Sequence, residues 1–345
     1  MSEYGHGIPS HEEVHISAKS GWRKLPMIFG AVGVAGLGIS LTTMGDKVGD
    51  ENFYHAYLTA LMSWLALGLG GMFFTLVQHA TRAGWSIVCR RIAEHAMLTL
   101  VPLSILSIPV AFLGVHELYH WADAQHLDAI LKAKQPYLNE GFFQVRTLIY
   151  MAAWAGVSIL FWRWSTSQDT ARDPVALTHK MRFAAPFGIM IFTLSMTFGA
   201  FDWVMSLDPH WFSTIFGIYY FAGCVTTIHA FIAIVVILLH RSGHLRGVVT
   251  PEHFHDLGKM MFAFTVFWTY IGFSQYMLIW YASMPEETHW FSYRGHGDFL
   301  TLTYVLIGAR FIVPFLGLMS RKIKRNPRTL IVAALWVMGA QVVDM

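Results

Sequence analysis

Phe212-Ser-Thr-Ile-Phe-Gly-Ile-Tyr-Tyr-Phe-Ala-Gly-Cys-Val-Thr-Thr-Ile-His-Ala-Phe-Ile-Ala-Ile-Val-Val-Ile-Leu-Leu239 contains no Asp, Glu, Lys or Arg and then meets His240-Arg241-Ser242-Gly243. About 20 such residues cross the hydrocarbon core of a bilayer as a helix. The same pattern recurs outward in both directions, at 25–44, 53–81, 92–114, 143–162, 183–206, 258–282, 298–319 and 329–345, which makes nine runs in all. With 55% hydrophobic and 13% charged residues and a mean hydropathy of +0.47, an ordinary soluble domain is excluded. The sequence predicts an all-α polytopic membrane protein. The ninth run stops at Asp344-Met345 with no polar tail, which points to a tenth helix beyond it.

Lys and Arg stay on the cytoplasmic side during insertion. Of the 24 here, 18 fall at the amino terminus and in the even-numbered loops with their flanks. Five (Lys47, Lys132, Lys134, Arg146, Arg294) fall on the other side, and Arg310 lies inside the eighth run. The expected orientation has a cytoplasmic amino terminus. The opening Met1-Ser2-Glu3-Tyr4-Gly5-His6 lacks the apolar stretch of a cleaved signal. Cys89 and Cys224 supply neither a disulfide framework nor a cysteine metal site. The net charge of +3 reports topology, and nothing in it suggests nucleic acid. His6, His11, His15, His244, His253 and His255 read as solvated loop residues.

A repeat is visible. At an offset of 159, Phe53 meets Phe212 and Arg82-Ala83-Gly84 meets Arg241-Ser242-Gly243. After a small gap, Ile92-Ala93-Glu94 meets Phe254-His255-Asp256, and Asp202 of Phe201-Asp202-Trp203-Val204 corresponds to Asp344 of Val342-Val343-Asp344-Met345. Four helices thus occur twice. Because four is even, the copies share orientation, as in parallel transporter repeats. The expected organisation is a cytoplasmic segment (1–24), a peripheral helix (25–44), a first four-helix bundle (53–206) and a second (212–345).

Each bundle then carries an acid at its cytoplasmic mouth, Glu94 or Asp256, and one toward the far side, Asp202 or Asp344. Intramembrane acids are costly and are retained for function. Between them lie Thr75, Gln78, His79, His95, Thr226, Thr227, His229, Gln275 and Tyr276, groups able to relay protons. On this reading Asp202→Asn is expected to reduce proton release while leaving assembly intact. The competing structural reading pairs Glu94 with Arg91 and Asp256 with Lys259 at helix ends, and makes His229 a packing residue. Gly30, Gly33 and Gly36, like Gly68, Gly70 and Gly71, read as close helix approach. Trp211-Phe212, Tyr219-Tyr220-Phe221 and Trp280-Tyr281 fit an interfacial belt or a quinone pocket. His116-Glu117-Leu118-Tyr119-His120 puts two histidines on one helix face at i, i+4, the zincin spacing, but a working zinc site needs a third ligand and a defined order, so a structural amphipathic helix is the favoured reading.

Phe201-Asp202-Trp203-Val204-Met205-Ser206-Leu207-Asp208-Pro209-His210-Trp211-Phe212-Ser213-Thr214-Ile215-Phe216-Gly217 resembles the segment joining helices 5 and 6 in the F-type subunits of bacterial alternative complex III. Those subunits are members of the NrfD/polysulfide reductase membrane-subunit superfamily. The resemblance covers essentially the whole chain. It implies two four-helix bundles flanked by outlying helices, in the bacterial inner membrane, within a quinol:cytochrome c oxidoreductase. Quinol would be the substrate of the complex. Haem c and iron–sulfur clusters would sit in partners: an iron–sulfur subunit and multihaem and monohaem cytochrome c subunits, beside a second NrfD-like membrane subunit. A haem-copper oxidase and surrounding lipid are further expected neighbours. This chain has no Cys-x-x-Cys-His and no cysteine cluster of its own. The resemblance implies that the second NrfD-like protein holds quinol with a His on helix 3 and an Asp on helix 5. Here Asp202 matches the Asp, while Phe112 falls at the His position, so scaffolding and proton conduction are the expected roles, with quinone binding as the first alternative. Two other classes compete: a haem b anchor using His79 and His95, and a transporter whose interior prolines (Pro102, Pro109, Pro186, Pro314) form no clear repeat.

Overall fold

A backbone in a bilayer finds no water, so each apolar run must satisfy its own N–H and C=O groups, and the helix does so locally. A computed structural model describes residues 16–17, 20–43, 51–123 and 128–345. His6, His11, His15, Lys19 and Lys47 lie outside the described residues. All nine runs are helical, and no strand occurs among the described residues. They are α1 (Leu25–Thr43), α2 (Glu51–Ala80), α3 (Ile87–Phe112), α4 (Glu140–Ser167), α5 (Pro174–Trp203), α6 (Phe216–Arg241), α7 (Pro251–Ala282), α8 (Gly297–Met319) and α9 (Pro327–Asp344). Seven of them, α2 to α8, are long and apolar enough to cross a membrane. The chain is a polytopic all-α membrane protein.

Several helices begin well before their apolar runs. α5 starts nine residues early because Pro174 suits the first helical position and the Asp173 side chain accepts from Val175 and Ala176 N–H. α7 starts seven residues early behind Thr250 and Pro251, with His253 completing a capping box. Hydropathy registers the apolar stretch and misses these capped polar turns.

Two helices are interrupted. α3 breaks at Thr99 and Ser107, between Ile87–Leu98, Leu100–Leu106 and Ile108–Phe112, with Pro102 and Pro109 just beyond the breaks. α8 widens into a π turn at Ile307–Ile312, immediately before Pro314. There the Ala309 carbonyl accepts from Trp336 Nε1 at 2.8 Å.

Packing joins α2, α3, α4 and α5 in one bundle and α6, α7, α8 and α9 in the other, with α2 against α6 as the seam. The first core is built around Phe143, Trp154, Phe161 and Phe192. The second is built around Ile228, Ile232, Met261 and Val337, with Phe74 of α2 inserted into it. Glycine makes the seam possible. A Cβ on Gly70 would stand 2.3 Å from the Cys224 carbonyl oxygen of α6, and one on Gly71 2.8 Å from the Ala93 carbonyl oxygen of α3. The α1 glycines behave otherwise. Nothing lies within 4 Å of a Cβ at Gly30, Gly33 or Gly36, so the close approach expected there is absent among the described residues. Trp22, just before α1, donates to Ser242 Oγ at 3.1 Å.

The seam makes a direct prediction. Gly70→Val should destabilise the protein by about 1–3 kcal/mol through overpacking, read as a lowered unfolding midpoint in mild detergent. Gly33→Val should leave that midpoint in place.

Candidate functional site

At the far end of the first bundle, α4 and α5 bring Arg146 and Asp202 together. Arg146 Nε donates to Asp202 Oδ2 at 2.8 Å and Nη2 to Oδ1 at 3.0 Å. Tyr150, one turn along α4, donates to Oδ2 at 2.8 Å. The third guanidinium nitrogen reaches the Tyr137 carbonyl oxygen at 2.9 Å, and the guanidinium lies over the Tyr137 and Phe142 rings, 3.8 and 4.3 Å from their centroids. Around the pair, Trp203 Nε1 donates to Thr147 Oγ1 and Tyr119 OH to the Trp203 carbonyl oxygen. Asp202 is only 1% exposed. Burial pushes the Tyr137 phenol up to about 12, the negative charge of Asp202 adding to the effect.

The second bundle repeats the theme on equivalent helices. Arg310 of α8 sits in the π turn with its Nε 3.6 Å from Asp344 Oδ2 of α9. Tyr219 donates to Asp344 Oδ1 and Trp268 Nε1 to Oδ2 at 3.0 Å. Arg310 Nη2 meets Gln341 Oε1. This site is looser than the first. Arg310 Nε and Nη1 and Gln341 Nε2 are buried without a hydrogen-bond partner among the described residues. Gly223 makes the space, since a Cβ there would be 2.9 Å from Gln341 Oε1 and 3.4 Å from Arg310 Nη2. Arg310 thus has a named partner, and the third groups differ in origin: Tyr150 comes from α4, but Tyr219 and Trp268 come from α6 and α7.

At the opposite, basic end, Glu94 is buried in α3. It accepts from Ser165 Oγ and lies 3.4 Å from Arg91 Nε and 3.8 Å from Arg90 Nε. Arg91 also grips Asp169 through two 3.0 Å contacts and the Ser165 carbonyl oxygen. Asp256 instead pairs with Lys259 at 2.7 Å, with its side chain 30% exposed. Both helix-end pairings weighed from the sequence are therefore present, but only Glu94 is buried.

The relay candidates are buried in both bundles except His95 and Tyr276 and differ in how they are bonded, His229 Nε2 being a further buried atom without a hydrogen-bond partner among the described residues. In the first bundle His79, Thr75, Gln78 and Ser158 are buried, and His79 Nδ1 and Nε2, Thr75 Oγ1, Gln78 Oε1 and Ser158 Oγ have no hydrogen-bond partner among the described residues. Trp154 Nε1 donates to Ser195 Oγ at 2.9 Å. In the second bundle Thr226 and Thr227 donate back to their own helix, at Ala222 and Gly223, and His229 Nδ1 bonds the Val225 carbonyl oxygen between Phe74 and Phe264. Gln275 accepts from Ser213. Tyr276 is 44% exposed against Phe291, outside the bundle interior.

No protein-family model and no curated protein matches this chain. Its own geometry has to carry the reading. Phe112 is 41% exposed on the surface, while the oxygens of Asp202 are occupied by Arg146 and Tyr150, so these two residues do not form one pocket. His95 is exposed and His79 buried beside Phe161, so the two rings lie in different environments. The amphipathic helix expected at 116–120 does not form as one element. Val115–Leu118 is followed by extended Tyr119 and a separate short turn at His120–Ala122, which ends the shared face, and His116 lies 3.5 Å from Glu140. The linker motif works as a clamp: Asp208 meets His289, His210 meets Asp128, the Pro209 carbonyl oxygen accepts from Lys134, and Trp211 stacks on Trp290 at 4.4 Å.

Sequence reasoning missed Arg146, Tyr150, Tyr219, Trp268 and Gln341. Arg146 carried a readable signal, since it lies inside the apolar run 143–162 rather than beside it. Removing one member of a buried ion pair costs about 3–5 kcal/mol, while an exposed pair is worth about 0–1 kcal/mol. Asp202→Asn should therefore destabilise the protein strongly and Asp256→Asn hardly at all, as measured by denaturant unfolding in mixed micelles. The expectation that Asp202→Asn leaves assembly intact gives way to this one, because the substitution strands Arg146.

Proposed function

We propose that this chain is a proton-guiding and scaffolding membrane subunit of a respiratory quinol:cytochrome c oxidoreductase of the alternative complex III type. Its basic end would face the cytoplasm of a bacterial inner membrane. Quinol, haem c and iron–sulfur chemistry are assigned to partner subunits, and the placement in that complex rests on the 201–217 resemblance.

One observation carries the proton reading. The buried face of α4 presents Ser165, Phe161, Ser158, Trp154, Tyr150 and Arg146, spaced three or four residues apart. It runs from the partner of Glu94 to the partner of Asp202, and at 1.5 Å per residue this stripe covers about 28 Å, close to the hydrocarbon thickness. His79, Thr75 and Gln78 of α2 supply further buried polar groups to the same bundle. In this reading Glu94 is the entry group. Protons pass the serine and histidine positions, and Tyr150 hands them to Asp202, whose charge Arg146 balances. Buried polar groups of this kind are the sites that ordered water joins.

The test uses the whole complex in sealed vesicles, following proton movement alongside quinol oxidation. Ser158→Ala and Tyr150→Phe should slow proton movement by roughly tenfold, about 1.4 kcal/mol of barrier, while electron transfer in uncoupled vesicles is retained. Wild-type proton movement in both variants would remove the α4 stripe from the route.

A further inference from the structure

A groove of about 540 Å³ opens on the outside of the first bundle, between α3 and α4, lined by His95, Leu98, Thr99, Pro102, Ile159, Trp162 and Arg163 among its walls. Its floor lies where α3 is interrupted. Pro102 has no N–H to offer the Leu98 carbonyl, and Leu103 N–H instead bonds the Thr99 carbonyl oxygen as the next segment begins.

Polarity is graded along this groove. Arg163 lies one turn from the basic end of α4, and His95 is near the start of α3 at the same end. Leu98, Pro102 and Ile159 lie about one turn or more deeper in the membrane direction. A cationic mouth above an apolar trough matches the shape of a phospholipid, headgroup outermost. The mouth also has unused capacity. The acids nearby are taken, Glu94 by Ser165, Arg90 and Arg91 and Asp169 by Arg91, and Arg163 has no acidic partner among the described residues. His95 commits Nδ1 to the Arg91 carbonyl oxygen, which leaves Nε2 for the groove. Trp162 Nε1 is buried there without a hydrogen-bond partner among the described residues.

We propose that this groove is a binding site for one anionic phospholipid, its phosphate held by Arg163 and His95 and one acyl chain lying along Leu98, Pro102 and Ile159. The phosphate meets the planar guanidinium in the geometry that arginine favours. The site is independent of which respiratory partners the chain has.

The test places the purified protein in nanodiscs of phosphatidylcholine containing acyl-brominated phosphatidylglycerol or acyl-brominated phosphatidylcholine. The readout is the quenched fluorescence lost on Trp162→Phe, which isolates Trp162 from the other tryptophans. Brominated phosphatidylglycerol should quench Trp162 at a mole fraction about fivefold lower than brominated phosphatidylcholine, the preference one cationic side chain near the surface supplies. Arg163→Leu should abolish the preference, and Arg172→Leu, outside the groove at the same end, should preserve it. Equal quenching by the two lipids, a preference that survives Arg163→Leu, or no quenching by either would overturn the proposal.

Discussion

Within the membrane-spanning helices the buried charges Glu94, Arg146, Asp202, Arg310 and Asp344 each meet an oppositely charged side chain, because the bilayer offers no solvent to neutralise them. Arg146 and Asp202 meet that condition with two parallel hydrogen bonds, and Tyr150 and the Tyr137 carbonyl satisfy most of what is left. The pair fixes α4 against α5 at one end of the first bundle. Glu94, Ser165, Arg91 and Asp169 fix α3 against α4 at the other end. Between these two polar ties the helix faces are free to be almost wholly apolar. The buried hydroxyls and imidazole that interrupt them are therefore the positions whose presence asks for a function.

The second bundle obeys the same constraint less strictly. Arg310 Nε stands 3.6 Å from Asp344, and neither Nε nor Nη1 has a hydrogen-bond partner among the described residues, although Tyr219 and Trp268 complete the carboxylate. A π turn places Arg310, and such turns occur preferentially where a helix must present a side chain for use. One bundle thus holds a closed arginine–aspartate site and the other an open one, on equivalent helices. The cation and the acid are repeated, but the groups that tune them are not. The asymmetry leaves Arg310 and Gln341 with buried hydrogen-bonding capacity that Arg146 has filled.

The sequence revealed the membrane spans because about 20 apolar residues leave few alternatives, and it revealed Asp202 and Asp344 because an acid stands out against such a background. Helix ends were less legible. Asp173, Thr250 and Asn139 extend helices into polar flanks by capping, which hydropathy does not register. The partners of the acids were hidden for a different reason: Arg146 lies 56 residues from Asp202 in the chain, and only packing of α4 on α5 joins them. Tyr276 looked like a relay group by its position on α7 and faces outward by its helical phase. The glycines divided in the same way. Gly70 and Gly71 seat neighbouring helices, whereas Gly30, Gly33 and Gly36, at the more regular three-residue spacing, have nothing packed on them among the described residues.

The most direct measurement is a double-mutant cycle on Arg146 and Asp202, with unfolding free energies in mixed micelles for Arg146→Met, Asp202→Leu and the pair combined. If neutralisation is what this end of the protein depends on, each single substitution strands a buried charge and costs about 3–5 kcal/mol, and the double variant loses no more than either single, which is a coupling at least as large as one single loss. Additive losses, with the double variant worst of all, would contradict the account.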